Sequence, residues 1–143
     1  MRSIGEIWRL PENIQALIRS IEEKSADNTG MRLVAALSYS SRSEILRAVK
    51  KIVDANINPE NLTEDFFSSQ LDTAGLPQPD LIIRTSGERR LSNFLLWQSA
   101  YAELYFADTL WPDFDREEFI LAIQDFQSRE RRFGKISLRS NAL

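Results

Sequence analysis

The feature of this sequence that most limits its fold is a short apolar run that ends abruptly in charge. Leu81, Ile82 and Ile83 follow one another, and Arg84 closes the run just before the small-residue turn at Ser86-Gly87. A run that is apolar on both faces is typical of a strand buried inside a parallel sheet. Functional groups in open α/β sheets gather at the carboxyl ends of the strands, so we expect Arg84 to lie at such an edge.

Polar and charged side chains continue beyond this turn. They are Glu88, Arg89, Arg90, Ser92 and Asn93. Ser92 and Asn93 are favourable N-cap residues, so we predict that a helix begins after them. Guanidinium groups, a hydroxyl and a helix N-terminus at one place suit a phosphate or a diphosphate.

The same charges also have simpler structural explanations. From spacing alone, Arg84 and Arg90 are equally well explained as ion-pair partners of Glu88 or Glu103. Glu103 stands among aromatic and apolar residues, where a buried carboxylate needs a partner. That partner is either an arginine, which gives a structural ion pair, or a divalent cation bound by oxygen ligands. The aromatic residues before it are interpreted as core: Phe94, Trp97 and Tyr101.

Composition narrows the class of protein. The 143 residues are 43% apolar and 27% charged, as expected for one globular domain over residues 1–143. Histidine and cysteine are absent, which excludes histidine-based triads, disulfides and cysteine zinc sites. The net charge of −3 gives no reason to expect a nucleic-acid partner. We find no leader sequence and no apolar run of the ~20 residues that span a membrane, so we expect a cytoplasmic protein, with contact to a membrane surface left open.

Hydrophobic periodicity predicts helices that alternate with strands. The four predicted strands lie near residues 2–7, 31–39, 80–85 and 103–107. The apolar stripes of three predicted helices are Ile14, Leu17, Ile18 and Ile21; Ile45, Val49, Ile52 and Val53; and Phe119, Ile123 and Phe126. Ser41 with Glu44 has the spacing of a capping box, Asp115 with Glu118 suggests another cap, and a short helix is predicted around residues 63–70. This alternation favours an α/β fold with a mostly parallel sheet flanked by helices.

Three stretches of the sequence form a recognisable set. They read DLIIRTSGERRLSNFLLWQSAYAELYF from Asp80, LWPDF from Leu110 and RERRFG from Arg129. They resemble the cis-prenyltransferase family, and within it the bacterial undecaprenyl diphosphate synthases, over the chain from Arg2 to Gly134. The resemblance implies that family's fold. It also implies condensation of isopentenyl diphosphate with an allylic diphosphate such as farnesyl diphosphate, giving a polyprenyl diphosphate such as the undecaprenyl carrier of cell-wall synthesis.

The resemblance implies roles for particular residues. Arg84, Arg90 and Ser92 match positions that hold the diphosphate of isopentenyl diphosphate, and Glu88 lies in the same loop. Glu103 matches a position that helps to hold Mg²⁺, and such a cation neutralises charge on a diphosphate. Planar guanidinium groups suit phosphate oxygens because they can form two parallel hydrogen bonds.

A homodimer is also implied by the resemblance. Arg132 and Gly134 belong to a C-terminal Arg-x-Gly motif that reaches the active site across the dimer interface. Large apolar side chains that are available for an interface are Trp97, Trp111, Phe114 and Phe119.

Two departures from the family pattern limit the activity that we expect. The family's N-terminal Met-Asp-Gly-Asn signature, whose aspartate binds the allylic diphosphate and Mg²⁺, has no counterpart in these residues. We therefore expect an N-terminally truncated member that carries no catalytic residue of its own and is inactive alone; the alternative is a non-catalytic partner subunit of a cis-prenyltransferase. Ser40 and Ser41 stand where the family has two glycines in Asn-Tyr-Gly-Gly-Arg, which leaves the role of Arg42 open.

Overall fold

A computed structural model describes residues 1–130, which contain four strands and four α-helices. The strands are β1 (Arg2–Ile4), β2 (Val34–Ala36), β3 (Leu81–Arg84) and β4 (Glu103–Phe106). The α-helices are α1 (Glu12–Lys24), α2 (Ser41–Asp54), α3 (Glu64–Ser69) and α4 (Arg116–Ser128). Short 3-10 helices lie at Ile7–Arg9, Pro59–Asn61 and Trp111–Asp113.

The chain divides into two compact units. The first unit comprises Met1–Pro77 together with Ser92–Leu96, and the second comprises Gln78–Leu91 and the chain from Trp97 onward. The single domain over residues 1–143 that the composition suggested stays a prediction.

Both strand pairs are parallel. In the first unit β1 pairs with β2, and in the second β3 pairs with β4. Parallel neighbours need a long crossover connection, and α1 lies in the one that joins β1 to β2. The α/β class and the parallel pairing are therefore confirmed, and the four described strands form two sheets of two strands each.

The chain passes very close to itself where β1 ends. Gly5 has a φ of +103°, and its N–H donates to Asp72 Oδ2 at 3.1 Å. A Cβ atom at this position would lie 2.3 Å from the carbonyl oxygen of Leu37. The backbone angle and the close approach both require glycine, so the path from β1 into the first 3-10 helix depends on this residue.

Helix α2 is capped one residue earlier than the sequence suggests. Ser40 is the N-cap, and its Oγ accepts from the Ser43 N–H at 3.3 Å. Glu44 is only 1% exposed, and its carboxylate accepts from the Tyr39 hydroxyl at 2.5 Å and from the Asp72 N–H at 2.9 Å. The predicted capping box of Ser41 and Glu44 is therefore wrong. A buried carboxylate must be satisfied, and the donors that satisfy this one lie inside the unit rather than at the helix start.

A partly buried ion-pair network ties α2 to distant parts of the first unit. Arg47 contacts Glu6 Oε1 at 3.1 Å through Nη1 and Asp72 Oδ2 at 2.5 Å through Nη2. Its guanidinium carbon also lies 5.4 Å from the centre of the Trp8 ring. These partners stand 41 and 25 residues away in the sequence, so Arg47 adds a charged link between segments that are distant along the chain.

Two of the predicted apolar stripes are only partly buried. On α1 Ile18 is 6% exposed, but Leu17 is 56% exposed, and on α2 Val53 is 68% exposed. The prediction that Val49 and Val53 are buried is wrong. An amphipathic helix buries its stripe only where an apolar surface faces it, and within the first unit the described residues do not cover these side chains.

The last helix begins where the sequence predicted. Asp115 caps α4, and its Oδ1 accepts from the N–H groups of Glu117 at 2.9 Å and Glu118 at 3.0 Å. Ala122 on this helix is fully buried, whereas Phe119 is 49% exposed. Within residues 1–130, no helix combines the length and the apolar character that crossing a membrane requires.

Candidate functional site

The backbone that follows β3 is held by the segment that follows β4. The Ser86 N–H donates to the carbonyl oxygen of Thr109 at 2.8 Å, and the Gly87 N–H donates to that of Ala107 at 2.9 Å. Ser86 and Gly87 have φ angles of 73° and 67°, a left-handed conformation that is strained for serine and relaxed for glycine. Arg84 therefore stands at the carboxyl edge of β3, beside a turn whose backbone is fixed.

We call residues 84–91 the arginine turn because they contain three arginines and one carboxylate. Arg84 Nη1 donates to the carbonyl oxygen of Arg90 at 2.5 Å. Arg90 forms an ion pair with Glu88, and their side chains are 63% and 40% exposed. Arg89 is also exposed. An exposed ion pair contributes only about 0–1 kcal/mol, so Arg90 can exchange the Glu88 carboxylate for another anion at small cost.

Ser92 and Asn93 do not begin a helix. Their φ angles are 47° and 64°, and Leu95 has 47°, so the backbone here is left-handed. An N-cap residue is extended instead, and residues 92–101 form turns and bends. The predicted helix, and the anion-binding helix N-terminus with it, is therefore wrong. Asparagine and serine favour turns as well as caps, and the local sequence does not distinguish the two.

Asn93 is bound to the start of α2. Its Oδ1 accepts from the Arg42 N–H at 3.0 Å, and its Nδ2 donates to Ser40 Oγ at 2.7 Å. Its carbonyl oxygen accepts from the Ser41 N–H at 3.0 Å. No sequence pattern indicated this role of Asn93. The role of Arg42 was open from the sequence, and its backbone N–H is one of the donors to Asn93. The residue type of Asn93 was the one indication in the sequence. An asparagine side chain can accept from the first N–H groups of a helix that is remote in the sequence, as well as from those of the helix that follows it.

Glu103 begins β4 and is paired with an arginine. Its Oε2 lies 2.9 Å from Arg129 Nη1, and Arg129 Nη2 lies 2.5 Å from Asp125 Oδ2. The hydrogen bond that Arg129 donates to Glu103 raises the pKa of Arg129 above its usual value, so the guanidinium remains charged. Of the two partners considered for Glu103, the described structure contains the arginine.

Glu103 and Arg84 stand at opposite ends of the β3–β4 pair. Glu103 is level with Leu81, and Arg84 is level with Phe106. At about 3.3 Å per residue, roughly 10 Å of strand separates the two levels. Within one chain, therefore, the fold does not bring Glu103 to the arginine turn.

The carboxylate of Glu103 fits a divalent cation only as one ligand among several. Within residues 1–130, no three carboxylate, histidine or cysteine side chains cluster as a metal site would require. Mg²⁺ is commonly held by one or two carboxylates, with substrate phosphates and water completing its octahedron. Glu103 could serve in this way once Arg129 has moved from its Oε2.

Comparison with known proteins identifies the chain's relatives. Residues 1–134 match the sequence family described as putative undecaprenyl diphosphate synthase. The chain belongs to this family. An isoprenyl transferase of Porphyromonas gingivalis is 51% identical over 97% of the chain, and one of Aquifex pyrophilus is 50% identical over 95%. The resemblance proposed from the arginine turn and the flanking motifs is thereby confirmed.

Two solved structures show the fold of this family. Lavandulyl diphosphate synthase from Lavandula x intermedia, in complex with dimethylallyl diphosphate, is 37% identical and superposes with a TM-score of 0.89 over 94% of the chain. A probable undecaprenyl diphosphate synthase from Campylobacter jejuni is 39% identical, with a TM-score of 0.80 over 94%. The chain spans 58% of the length of both isoprenyl transferases, and 59% and 62% of the two solved chains.

Two residues that the family resemblance singled out lie beyond the described part, and two aromatic residues that were interpreted as core are exposed. Arg132 and Gly134 of the Arg-x-Gly motif lie outside residues 1–130. Phe94 is 39% exposed and Tyr101 is 71% exposed, so interpreting them as core is wrong. Because the segment turns rather than forming a helix, it does not present one continuous face to a core. Phe94 instead meets Tyr39 edge to face at 5.7 Å.

Proposed function

We propose that this chain takes part in cis-condensation of isopentenyl diphosphate onto an allylic diphosphate such as farnesyl diphosphate. The product would be a polyprenyl diphosphate such as undecaprenyl diphosphate, a lipid carrier for peptidoglycan synthesis. The observation that carries this proposal is the arginine turn at the carboxyl edge of β3 in a chain of this family. The lavandulyl diphosphate synthase is complexed with dimethylallyl diphosphate, itself an allylic diphosphate, which supports the substrate class.

In this proposal Arg84 and Arg90 bind the diphosphate of isopentenyl diphosphate. Arg90 is exposed, and among residues 1–130 its guanidinium pairs with Glu88, two residues away, in an ion pair that a ligand can replace. The Arg84 side chain donates to the carbonyl oxygen of Arg90, and this hydrogen bond holds the two arginines close together. Ser92 is the third contact in the proposal, from the family resemblance.

The arginine turn contributes to the reaction by holding one reactant. The double bond of isopentenyl diphosphate attacks the first carbon of the allylic chain, whose diphosphate leaves with the bonding electrons, and a proton is then lost from the isopentenyl unit. Holding the diphosphate restricts where the double bond of isopentenyl diphosphate lies, and such positioning of a reactant lowers the barrier. The guanidinium groups also offset the concentration of negative charge from two diphosphates.

Mg²⁺ is the proposed cofactor. Glu103 would supply one oxygen ligand, with phosphate and water as the others, and the cation would make diphosphate a better leaving group. Glu103 is about 10 Å from the level of Arg84 along the strands, so in this proposal the arginine turn binds the diphosphate without Glu103.

We further propose that the protein is a homodimer. We propose that it lies in the cytoplasm and contacts a membrane surface. Trp111 is 73% exposed and Phe119 is 49% exposed, so the second unit offers large apolar side chains to a partner. Arg132 and Gly134 would then reach the site of the other copy. Light scattering at micromolar protein tests this, and a strictly monomeric chain would count against it.

The chain alone is proposed to be inactive. It spans 58% of its isoprenyl transferase relatives, and no residue in it is assigned to the allylic diphosphate. The test is incubation with radiolabelled isopentenyl diphosphate, farnesyl diphosphate and Mg²⁺. We expect no polyprenyl product from the 143-residue chain. We expect product when the remaining part of a relative is supplied, and its loss with Glu103→Ala.

Three outcomes of this assay, run with the parent chain and with Arg90→Ala, test different parts of the proposal. Product from the chain alone would contradict its proposed incompleteness. Restored activity that is insensitive to Arg90→Ala would contradict the role of the arginine turn. A complemented chain that stays inactive but still binds isopentenyl diphosphate would favour the non-catalytic partner subunit.

A further inference from the structure

Residues 92–96 are tied to the N-terminus of α2 by four hydrogen bonds. Three involve Asn93, and the fourth runs from the Leu96 N–H to Ser41 Oγ at 3.0 Å. The Asn93 bonds reach the Ser40 hydroxyl and the backbone N–H groups of Ser41 and Arg42. We call this set of contacts the Asn93 clamp.

The clamp satisfies donors that the helix cannot satisfy itself. The first N–H groups of an α-helix have no partner within the helix. At α2 the Ser43 N–H is taken by Ser40 Oγ, and the N–H groups of Ser41 and Arg42 are taken by Asn93. Ser41 is fully buried, and its hydroxyl is satisfied by Leu96. Segment and helix start therefore depend on each other.

The clamp also maintains a strained backbone. Ser92, Asn93 and Leu95 all have φ between 47° and 64°. For residues other than glycine this conformation costs on the order of 1 kcal/mol or more, least for asparagine and most for a bulky side chain such as leucine. Such angles persist only where surrounding contacts over-determine them, and the four hydrogen bonds of the clamp are contacts of this kind.

Two of these bonds use hydroxyl groups that the family pattern lacks. Ser40 and Ser41 stand where that pattern has glycines, and glycine has no hydroxyl to offer Asn93 or Leu96. The replacement of two glycines by Ser40 and Ser41 therefore has a structural consequence. In this chain the segment has two more attachment points than a double glycine could provide.

We propose that Asn93, together with Ser40 and Ser41, is a positioning residue for Ser92. This inference rests on the proposed role of Ser92 in binding the diphosphate. Ser92 immediately precedes Asn93, is exposed, and shares its left-handed conformation. Without the clamp both residues relax toward the extended or right-handed regions, and the Ser92 hydroxyl is then directed elsewhere. Asn93 itself does not contact the ligand, because its side chain is engaged with α2.

The test is a double-mutant cycle on binding of inorganic pyrophosphate to the full 143-residue chain, measured by calorimetry. Ser92→Ala should weaken affinity about tenfold, as expected for a hydrogen bond to a charged group. In an Asn93→Ala background, Ser92→Ala should have less than about a twofold further effect, because the hydroxyl is no longer in place. Ser41→Ala loosens the clamp without altering Asn93, and should reduce the effect of Ser92→Ala to an intermediate value.

A matched control separates positioning from general stability. Thr63 caps α3 in the same unit, and its Oγ1 accepts from the Phe66 N–H at 3.1 Å. Thr63→Ala removes a cap of the same chemical kind elsewhere. In that background Ser92→Ala should keep its full tenfold effect, whatever the loss of stability.

Three results would overturn the inference, and they are distinguishable. An equal effect of Ser92→Ala with and without Asn93 would remove the positioning role while leaving the proposed function intact. No effect of Ser92→Ala in the parent chain, with weakened binding by Arg90→Ala, would remove Ser92 as a ligand. Pyrophosphate binding that neither variant changes would remove the proposed diphosphate site as well.

Discussion

Arg47 in the first unit and Arg90 in the second carry the same guanidinium group in opposite surroundings. The side chain of Arg47 is 22% exposed and contacts two carboxylates, Glu6 and Asp72, far away in the sequence. That of Arg90 is 63% exposed and pairs with Glu88 two residues away. The Arg47 ion pairs join segments that are distant in the sequence and are partly shielded from solvent. The Arg90 ion pair joins residues of one turn and is exposed.

This difference separates arginines that hold a fold from arginines that are accessible to a ligand. Removing one partner of a shielded network leaves charges without compensation, which is costly. An exposed pair within one turn is screened by water and salt and is easily exchanged. Substitutions in the two units should therefore change different measured quantities.

The largest effect is expected for Arg47→Ala. Glu6 and Asp72 would lose their shared cation while partly buried, so the free energy of unfolding should fall by about 3 kcal/mol. Urea unfolding followed by circular dichroism measures it, with the exposed Arg19→Ala as the control, which should stay within about 0.5 kcal/mol. A loss as small as that of the control would mean that the network is not structural.

Arg90→Ala should show the reverse pattern. Its affinity for pyrophosphate should fall by about 1.5–3 kcal/mol, because a hydrogen bond to a charged ligand is lost. Its unfolding free energy should change by less than about 0.5 kcal/mol. Arg89→Ala, the exposed neighbour, is the matched control for charge. Equal affinities of the Arg90→Ala and parent chains would contradict the assignment of Arg90 as an arginine that binds the ligand.

Alkaline pH should act on the first unit through Tyr39. Burial and the hydrogen bond to Glu44 raise the pKa of Tyr39 above its usual value near 10. Above about pH 10 the unfolded chain releases this proton while the folded chain retains it, so stability should decrease, by at most ~1.4 kcal/mol per pH unit. Below pH 10 the contribution is fully present. Tyr39→Phe should flatten the alkaline slope, and a slope unchanged by this variant would assign it to another group.

The smallest effect is expected for Glu88→Gln. Loss of the carboxylate releases Arg90 and removes a negative charge near the proposed ligand, so affinity for pyrophosphate should rise by about 0.5 kcal/mol. The gain should shrink as salt is added, because exposed charges are screened. Asp108→Asn, between the two residues whose carbonyl oxygens hold the turn, is a control for charge alone. Weaker binding by Glu88→Gln would show that Glu88 itself supports the ligand.

Where residues act through near neighbours in sequence, the sequence analysis predicted the structure well. The run before Arg84 is a parallel strand, and Asp115 caps its helix. Errors arose where the deciding partner is remote. Glu44 is drawn inward by Tyr39 and Asp72, and Asn93 turns toward α2, 51 residues before it.

The candidate site divides in the same way. Arg84, Glu88 and Arg90 lie within seven consecutive residues, and the apolar run before them is enough to place them at a strand end. Glu103 depended on a partner 26 residues ahead, and only the fold reveals that Arg129 is this partner. Composition and spacing cannot show whether Glu103 binds an arginine or a divalent cation, because either partner satisfies a carboxylate.

The brief return of the chain to the first unit at Ser92–Leu96 has a consequence for dissecting the molecule. No single cut in the sequence yields both units whole, since five residues of the first are flanked on both sides by the second. A fragment that ends at Pro77 keeps α2 but discards Asn93, and so exposes the amides of Ser41 and Arg42. Boundaries for truncation, tag insertion or circular permutation therefore belong in the loops within a unit. The segment that the sequence predicted as a helix start is a part of the first unit inserted between two segments of the second.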